Sequence, residues 1–307
     1  MNTFFKIIKP KNLLKILLNP GLVFVRFTYV LKRFFYDFIF LFRKKKYKYK
    51  IIFIAGMPMS ATTKIKNMCG RIDGYFTRHN PTPETIWLKQ DISDSAFTYC
   101  PSWAYTLFKT HLNPWQQNIE VIKRNNVKKV VVSYRDLRDV VVARYYRLLS
   151  FPKKKNEPHY VEENKQYKNI SKKDAINDCI DKVANSYTKW IYGWLDIASK
   201  DENFVLFCKF ENLISDPKTE FKRILDFYEI SLKDSIIDSI VQATEGKKNM
   251  KTNIGEAKIL PWAFSSNFRS GKIGNWKEEF DQTNISKFKE LAGESLIRLK
   301  YEKDLNW

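Results

Sequence analysis

Acidic residues are scarce in this chain: 33 Asp and Glu stand against 54 Lys and Arg, a net charge of +21. Cysteine is scarcer still, with Cys69, Cys100, Cys179 and Cys208 far apart, no Cys-x-x-Cys pair and no His at ligand spacing. That pattern excludes a disulfide framework and a cysteine metal site, and reads as reduced, buried thiols. A long uncharged apolar run is missing too. A spanning helix needs about 20 such residues, and the longest charge-free stretch of the N-terminal segment, 16–25, reaches only half that length and contains Asn19-Pro20. No small-residue cleavage site follows an uninterrupted apolar region, so neither a membrane span nor a secretory signal is expected.

What is present argues for a folded protein. Hydrophobic residues make up 44% and aromatics 15% of the 307, too many for a disordered chain and enough for one core domain with an appendage. The positive charge is uneven: residues 1–50 hold 13 Lys and Arg against Asp37 alone, +12, which leaves +9 for the other 257. Residues 12–42 are rich in Leu, Phe, Val and Ile, interrupted by Lys15, Arg26, Lys32, Arg33 and Asp37, and a basic run follows at 43–50. Residues 1–49 are therefore expected to form amphipathic helices, broken near Pro20, that lie on an anionic membrane surface. Packing of those helices on the domain, with solvated lysines, is the competing reading. A nucleic-acid partner is disfavoured, because the charge sits mostly in one apolar N-terminal segment.

From residue 50 the pattern changes. Ile51 to Ala55 is apolar on both faces, as a buried parallel strand requires. Gly56 and Pro58 make a turn, and Ser60 to Thr63 open a helix running to about Arg71, which gathers backbone amides where they can hold a phosphate. It is not a Walker A loop, since Ala61-Thr62 stand where Gly-Lys is required. Lys129 to Tyr134 is a second such strand with Arg135 at its carboxyl end, where open α/β sheets bind ligands and an arginine can grip phosphate bidentately. Between them lies Lys109-Thr110-His111, ahead of Asn113-Pro114. Residues 172–199 have helical periodicity with Trp190 and Trp194 on one side, 203–209 is a third strand, and 151–170 reads as a polar loop. Asp91 to Trp103, with Phe97, Tyr99 and Trp103, reads either as acceptor lining or as core.

The ordered motifs GMPMSATT, FKTHL and VVSYRDLRDVVVARYY resemble those of the cytosolic-type sulfotransferase family, which uses 3′-phosphoadenosine 5′-phosphosulfate (PAPS). FVLFCKFENLISDPKTEFKRILDFYEI and the run from Phe268 to Lys277 extend the likeness over roughly residues 50–307. The resemblance implies a three-layer α/β/α fold with a central parallel sheet, P-loop NTPase-like, beside the N-terminal helical membrane-associating segment. It implies sulfuryl transfer to a hydroxyl or amine, with His111 as general base and Lys109 neutralising the transferring group. The amides of Ser60, Ala61, Thr62 and Thr63 would hold the 5′-phosphate. Arg135, Arg269 and Gly271 would bind the 3′-phosphate, Phe210 would stack on adenine and Thr244 would touch it. No metal is implied.

Four positions depart from the family pattern. Met59 replaces its loop cation, Lys64 stands at its Trp and is a candidate substitute cation, Ala143 replaces its 3′-phosphate Ser, and Ser270 replaces a Lys. A non-catalytic relative that binds nucleotide or a sulfated ligand at a membrane surface therefore stays open beside the enzyme. The expected acceptor bears a hydroxyl, on a glycan, a lipid-linked group or a small alcohol or phenol. The expected location is the cytoplasm, with peripheral membrane contact.

Overall fold

The computed structural model describes residues 35, 38–42, 46–77, 90–97, 100, 105–150, 158–245 and 271–307. Residues 47–241 with 268–307 form one compact unit. Residues 1–46 with 242–267 form a second, described only at 35, 38–42, 46 and 242–245. Most of the expected N-terminal helical segment thus lies outside the described residues.

In the larger unit, five strands, β1 (Ile51–Gly56), β2 (Tyr75–Thr77), β3 (Tyr105–Thr110), β4 (Val130–Tyr134) and β5 (Val205–Lys209), make one parallel sheet in the order β2-β3-β1-β4-β5. Helices cover it to give the three-layer α/β/α arrangement. All six residues of β1 are buried, as a central strand with both faces covered demands. The register puts Ile54 opposite Lys109 and Gly56 opposite Ser133, so Gly56, His111 and Arg135 leave the sheet at the same carboxyl edge. Buried Tyr228 ties the two central strands: its hydroxyl accepts from the Phe53 amide at 3.0 Å and donates to the Lys129 carbonyl at 2.8 Å.

The helices are α1 (Thr62–Cys69), α2 (Gln116–Arg124), α3 (Leu137–Ser150), α4 (Pro158–Lys168), α5 (Lys172–Lys200), α6 (Phe210–Ser215), α7 (Pro217–Phe227), α8 (Asp234–Thr244), α9 (Trp276–Glu279) and α10 (Gln282–Arg298). Their starts are written in the sequence. The Ser171 hydroxyl caps α5 by accepting from the Asp174 amide, Asp216 caps α7 ahead of Pro217, and Asp281 and Asn284 form a reciprocal capping box on α10. Trp190 and Trp194 are buried on α5, as its periodicity requires. Phe97 is core, 4.9 Å from Phe108 between ring centroids; Tyr99 and Trp103 lie outside the described residues.

The polar stretch read as a loop is helical from Pro158 to Lys168. It lacks a broad apolar stripe and is held instead by three side chains. Glu163 takes Arg144 at 3.0 Å and Lys182 at 2.9 Å, Asn164 donates to the Leu148 and Leu149 carbonyls, and Tyr167 is buried with its hydroxyl on Asp178. Such tertiary anchors are invisible to periodicity. The four cysteines are not disulfide-bonded, with Cys69, Cys179 and Cys208 buried and burial pushing the Cys69 thiol up to about 12. Among the described residues no helix is long and apolar enough to cross a membrane, and no cluster of His, Cys, Asp and Glu is arranged to hold a metal.

Candidate active site

The site is built on the turn from β1 into α1. Gly56 ends the strand where no side chain fits: a Cβ there would meet Thr62 Cγ2 at 1.8 Å and Ser133 Oγ at 2.3 Å. Met59 and Ala61 then take left-handed backbone angles, φ 69° and 60°, a conformation that costs a non-glycine residue about 1 kcal/mol or more and persists only where the surroundings impose it. The Ser60 hydroxyl does the imposing. Fully buried, it bonds the Met57 carbonyl at 2.6 Å and Ser133 Oγ at 2.7 Å, and the Ser60 amide closes back on the Met57 carbonyl at 3.2 Å. Both polar groups of Ser60 are thus committed to shaping the loop. The amides of Thr62 and Thr63, in the first turn of α1, have no intrahelical acceptor and present the helix N-terminus to an anion.

His111 follows the last residue of β3 and lies across the sheet edge from this turn. Its Nδ1 is 2.5 Å from the Gly56 carbonyl oxygen. A carbonyl only accepts, so Nδ1 carries the proton and Nε2 the lone pair. Burial and the charge of Lys109 push the His111 pKa down to about 3, opposed in part by the Gly56 bond, with Arg147 adding the smallest lowering. The ring is therefore neutral at physiological pH and able to accept a proton at Nε2. Burial, with the charges of Lys66 on α1 and Arg147 on α3, also lowers Lys109 to about 8.

A second cationic element lies at the end of β4. Arg135 is buried, with its guanidinium 4.0 Å over the Phe210 ring. Its Nη2 donates to Asp139 at 3.3 Å and to the Lys272 carbonyl at 3.0 Å, while its Nε is buried and hydrogen-bonded to nothing. An orphaned guanidinium N–H is costly unless a ligand oxygen completes it. Asp139, fully buried, accepts from the amides of Gly274 at 2.9 Å and Trp276 at 3.1 Å, which fastens the turn containing Gly271 and Gly274, both at positive φ, beside Arg135.

A family model described as the sulfotransferase domain matches residues 51–300. The chain belongs to the sulfotransferase family. Human Sulfotransferase 1C2 is 31% identical over 114 residues, 36% of this chain and 38% of that protein. The match to the rat Sulfotransferase 1C2 covers 42% of that protein, so the chain spans about two fifths of the length of these relatives. Flavonol 3-sulfotransferase of Flaveria bidentis is 24% identical over 267 residues, 80% of this chain and 81% of that protein. Mouse sulfotransferase SULT7A1, solved in complex with PAP, has the same fold, with a TM-score of 0.57 at 20% identity over 82% of this chain and 85% of that one.

Within this sulfotransferase domain the structure brings together Met59 to Lys64, Lys109 and His111 at the β1 and β3 ends, and Arg135, Phe210 and Gly271 at the β4 and β5 ends. Ala143 lies half-buried midway along α3. Thr244 is the last residue of α8 and belongs to the smaller unit. Arg269 and Ser270 lie outside the described residues. Three participants escaped sequence reasoning. Asp139 stood four residues from Arg135, the spacing at which helix neighbours pair, and was readable. Lys66, two residues beyond Lys64, is the α1 cation that acts on Lys109, and Arg147 sits one turn beyond Ala143.

Proposed function

We propose that this chain is a PAPS-dependent sulfotransferase acting on a hydroxyl-bearing acceptor. The observation that carries the reading is the His111–Gly56 bond, which fixes the tautomer whose Nε2 can take a proton, beside Lys109 and the amide-lined turn. When bound, PAPS would supply the sulfuryl group, its S–O bond to the 5′-phosphate breaking so that PAP departs with the electron pair on that phosphate oxygen. The amides of Thr62 and Thr63 and the Lys109 ammonium are the groups to hold that end. Arg135, through its unfilled Nε, and the Gly271 turn fit the 3′-phosphate. His111 removes the acceptor proton at Nε2, a role that contributes typically about 10²–10⁴-fold. The names of the curated relatives, among them a flavonol 3-sulfotransferase, support a hydroxyl acceptor.

Incubation with ³⁵S-labelled PAPS and a panel of alcohols, phenols and glycans tests this. Label transfer is expected, and His111→Ala should abolish it while leaving PAP affinity nearly intact; full activity in that variant would remove His111 from the role. The non-catalytic alternative is favoured by Met59, an apolar side chain packed on the core where the family motif has a cation. Measurable PAP binding without any label transfer would select it.

Peripheral membrane contact through residues 1–50 belongs to the same reading. Its support is the 13-to-1 excess of basic residues there and the exposure of Phe35, Phe38, Ile39, Leu41 and Phe42. Removing residues 1–46 should release the protein from phosphatidylserine liposomes, and unchanged co-sedimentation would refute the contact.

A further inference from the structure

The two residues that follow His111 have all their backbone polar groups committed, and the commitments reach separate parts of the chain. The Leu112 amide donates to Thr110 Oγ1 at 3.2 Å, and the Leu112 carbonyl accepts from the indole Nε1 of Trp190 at 2.8 Å. The Asn113 amide donates to the Gln90 carbonyl at 2.8 Å, and the Asn113 carbonyl accepts from Asn118 Nδ2 at 3.0 Å. Buried Asn118 also donates to Asp91 and accepts from the Ile92 amide, which secures the far end of the turn. The end next to the histidine is secured by Trp190.

Trp190 comes from α5, 78 residues along the chain from Leu112. Both residues are buried. The helix is pressed against this loop: Gly193, one turn on, lies so near Pro114 that a Cβ there would meet Pro114 Cγ at 2.5 Å. A buried carbonyl deprived of its donor costs about 1–3 kcal/mol, enough to turn the peptide toward another partner. The imidazole is thus constrained from two directions, by the Gly56 carbonyl at its Nδ1 and by the Leu112 peptide on its own backbone. Trp194, one turn beyond Trp190 on the same helix, makes no such bond. It is fully buried in the same core, its ring 6.1 Å from that of Trp190, and its Nε1 is hydrogen-bonded to nothing. Two neighbouring core tryptophans therefore differ in one hydrogen bond to the His111 turn.

We propose that Trp190 is a positioning residue whose indole N–H, through the Leu112 carbonyl, holds the His111 imidazole on the Gly56 carbonyl with Nδ1 protonated. The catalytic meaning of that orientation rests on the sulfotransferase reading above, in which Nε2 takes the acceptor proton. The orientation itself does not.

Nitrogen-15 NMR of the full chain labelled at histidine reads the tautomer, and the signal lost in His111→Ala assigns it among the three histidines. At neutral pH the wild type should show His111 in the Nδ1-protonated form alone. Trp190→Phe, which keeps a ring and removes the N–H, should show both neutral tautomers, whereas Trp194→Phe should match the wild type. Both variants should bind PAP as the wild type does, by titration calorimetry. Label transfer from PAPS should fall about tenfold or more in Trp190→Phe alone, since a small misplacement of a reacting group costs up to about 10²-fold. Circular dichroism establishes that each variant is folded. Should Trp190→Phe fail to fold, β-(3-benzothienyl)alanine at position 190, which keeps the shape of the indole without its N–H, takes its place. A wild-type ring protonated at Nε2, a Trp190→Phe ring that stays in the Nδ1-protonated form, or a Trp194→Phe ring that changes as much, overturns the inference. Loss of PAP affinity in Trp190→Phe also overturns it, by moving the indole's effect to the nucleotide side. Absence of label transfer by a wild type that shows the expected tautomer would instead strike the functional reading, so the two failures are distinguishable.

Discussion

At the scale of single residues, the site depends on two groups held away from their usual protonation. His111 is kept neutral by burial and by Lys109, with a pKa near 3, and Lys109 by burial and by Lys66 and Arg147, with a pKa near 8. The proposed transfer needs the first unprotonated and the second charged. Because the His111 pKa is lowered, the base is competent at every pH above about 3, and the ordinary histidine limb near 6.5 should be absent. Because the Lys109 pKa is also lowered, its charge is lost as pH rises through about 8. The kcat/KM for the nucleotide, which reports the free enzyme, should therefore be flat from pH 5 to 7 and fall with an apparent pKa near 8. Binding of the anionic nucleotide favours the charged lysine, so the same limb in kcat should lie at higher pH. Lys109→Arg, which cannot deprotonate in this range, should lose the alkaline limb altogether, even if its absolute rate falls. A profile with an acid limb at 6.5, or an alkaline limb retained in Lys109→Arg, would show that other groups titrate.

At the scale of elements, the turn between β1 and α1, the proposed anion site, is a steric fit. Gly56 is needed for space, since its φ is not positive, and a methyl group there collides with Thr62 and Ser133 together. Gly56→Ala should cost about 1–3 kcal/mol or more, as overpacking of a close-packed interior does, read as a lower urea midpoint. It should also slow transfer, because the carbonyl that fixes the His111 tautomer belongs to the displaced residue. Thr62→Ser, which removes the Cγ2 at 1.8 Å, should restore part of the loss; a Gly56→Ala protein of unchanged midpoint would refute the account. This element was partly legible beforehand. The continuous apolar runs of β1 and β4 announce buried parallel strands, that of β5 a third strand, and the glycine turn announces the passage from strand to helix. The left-handed angles at Met59 and Ala61 were not readable, because only the buried Ser60 hydroxyl, bonded to Met57 and to Ser133 on another strand, imposes them. Nor was β2, three residues long, or α4, which tertiary contacts at Glu163, Asn164 and Tyr167 hold in place. Lys66 and Arg147 were hidden for a related reason: a cation on a helix is an ordinary solvated residue until the fold brings it beside a strand end.

At the scale of the whole molecule, residues remote in sequence clamp the Arg135 side of the site, the proposed nucleotide side. Arg138, three residues after Arg135 and fully buried, lies 3.9 Å from the Trp276 ring and 4.4 Å from that of Trp307. Its guanidinium is held by Asp136 at 2.7 Å and by Glu302 at 2.6 Å. Trp276 stands edge-on to Trp307 at 5.5 Å, and its amide bonds the same Asp139 that pairs with Arg135. A desolvated cation between aromatic faces is worth up to about 2 kcal/mol or more, and here it couples residues 302–307 to the start of α3. Trp307→Ala should therefore destabilise the protein by about 1–3 kcal/mol. The catalytic effect should be selective. Loosening Trp276 loosens the turn carrying Gly271 and Gly274, so the KM for PAPS and the Kd for PAP should rise by up to about tenfold, equal to 1.4 kcal/mol. His111 and Lys109, on the far side of β1 from this clamp in the strand order, should keep their chemistry, so kcat at saturating PAPS should hold. Trp307→Phe keeps a ring for Arg138 and should recover most of the nucleotide affinity. A Trp307→Ala variant that loses kcat with unchanged PAP affinity would mean that residues 302–307 support the proton-transfer side instead.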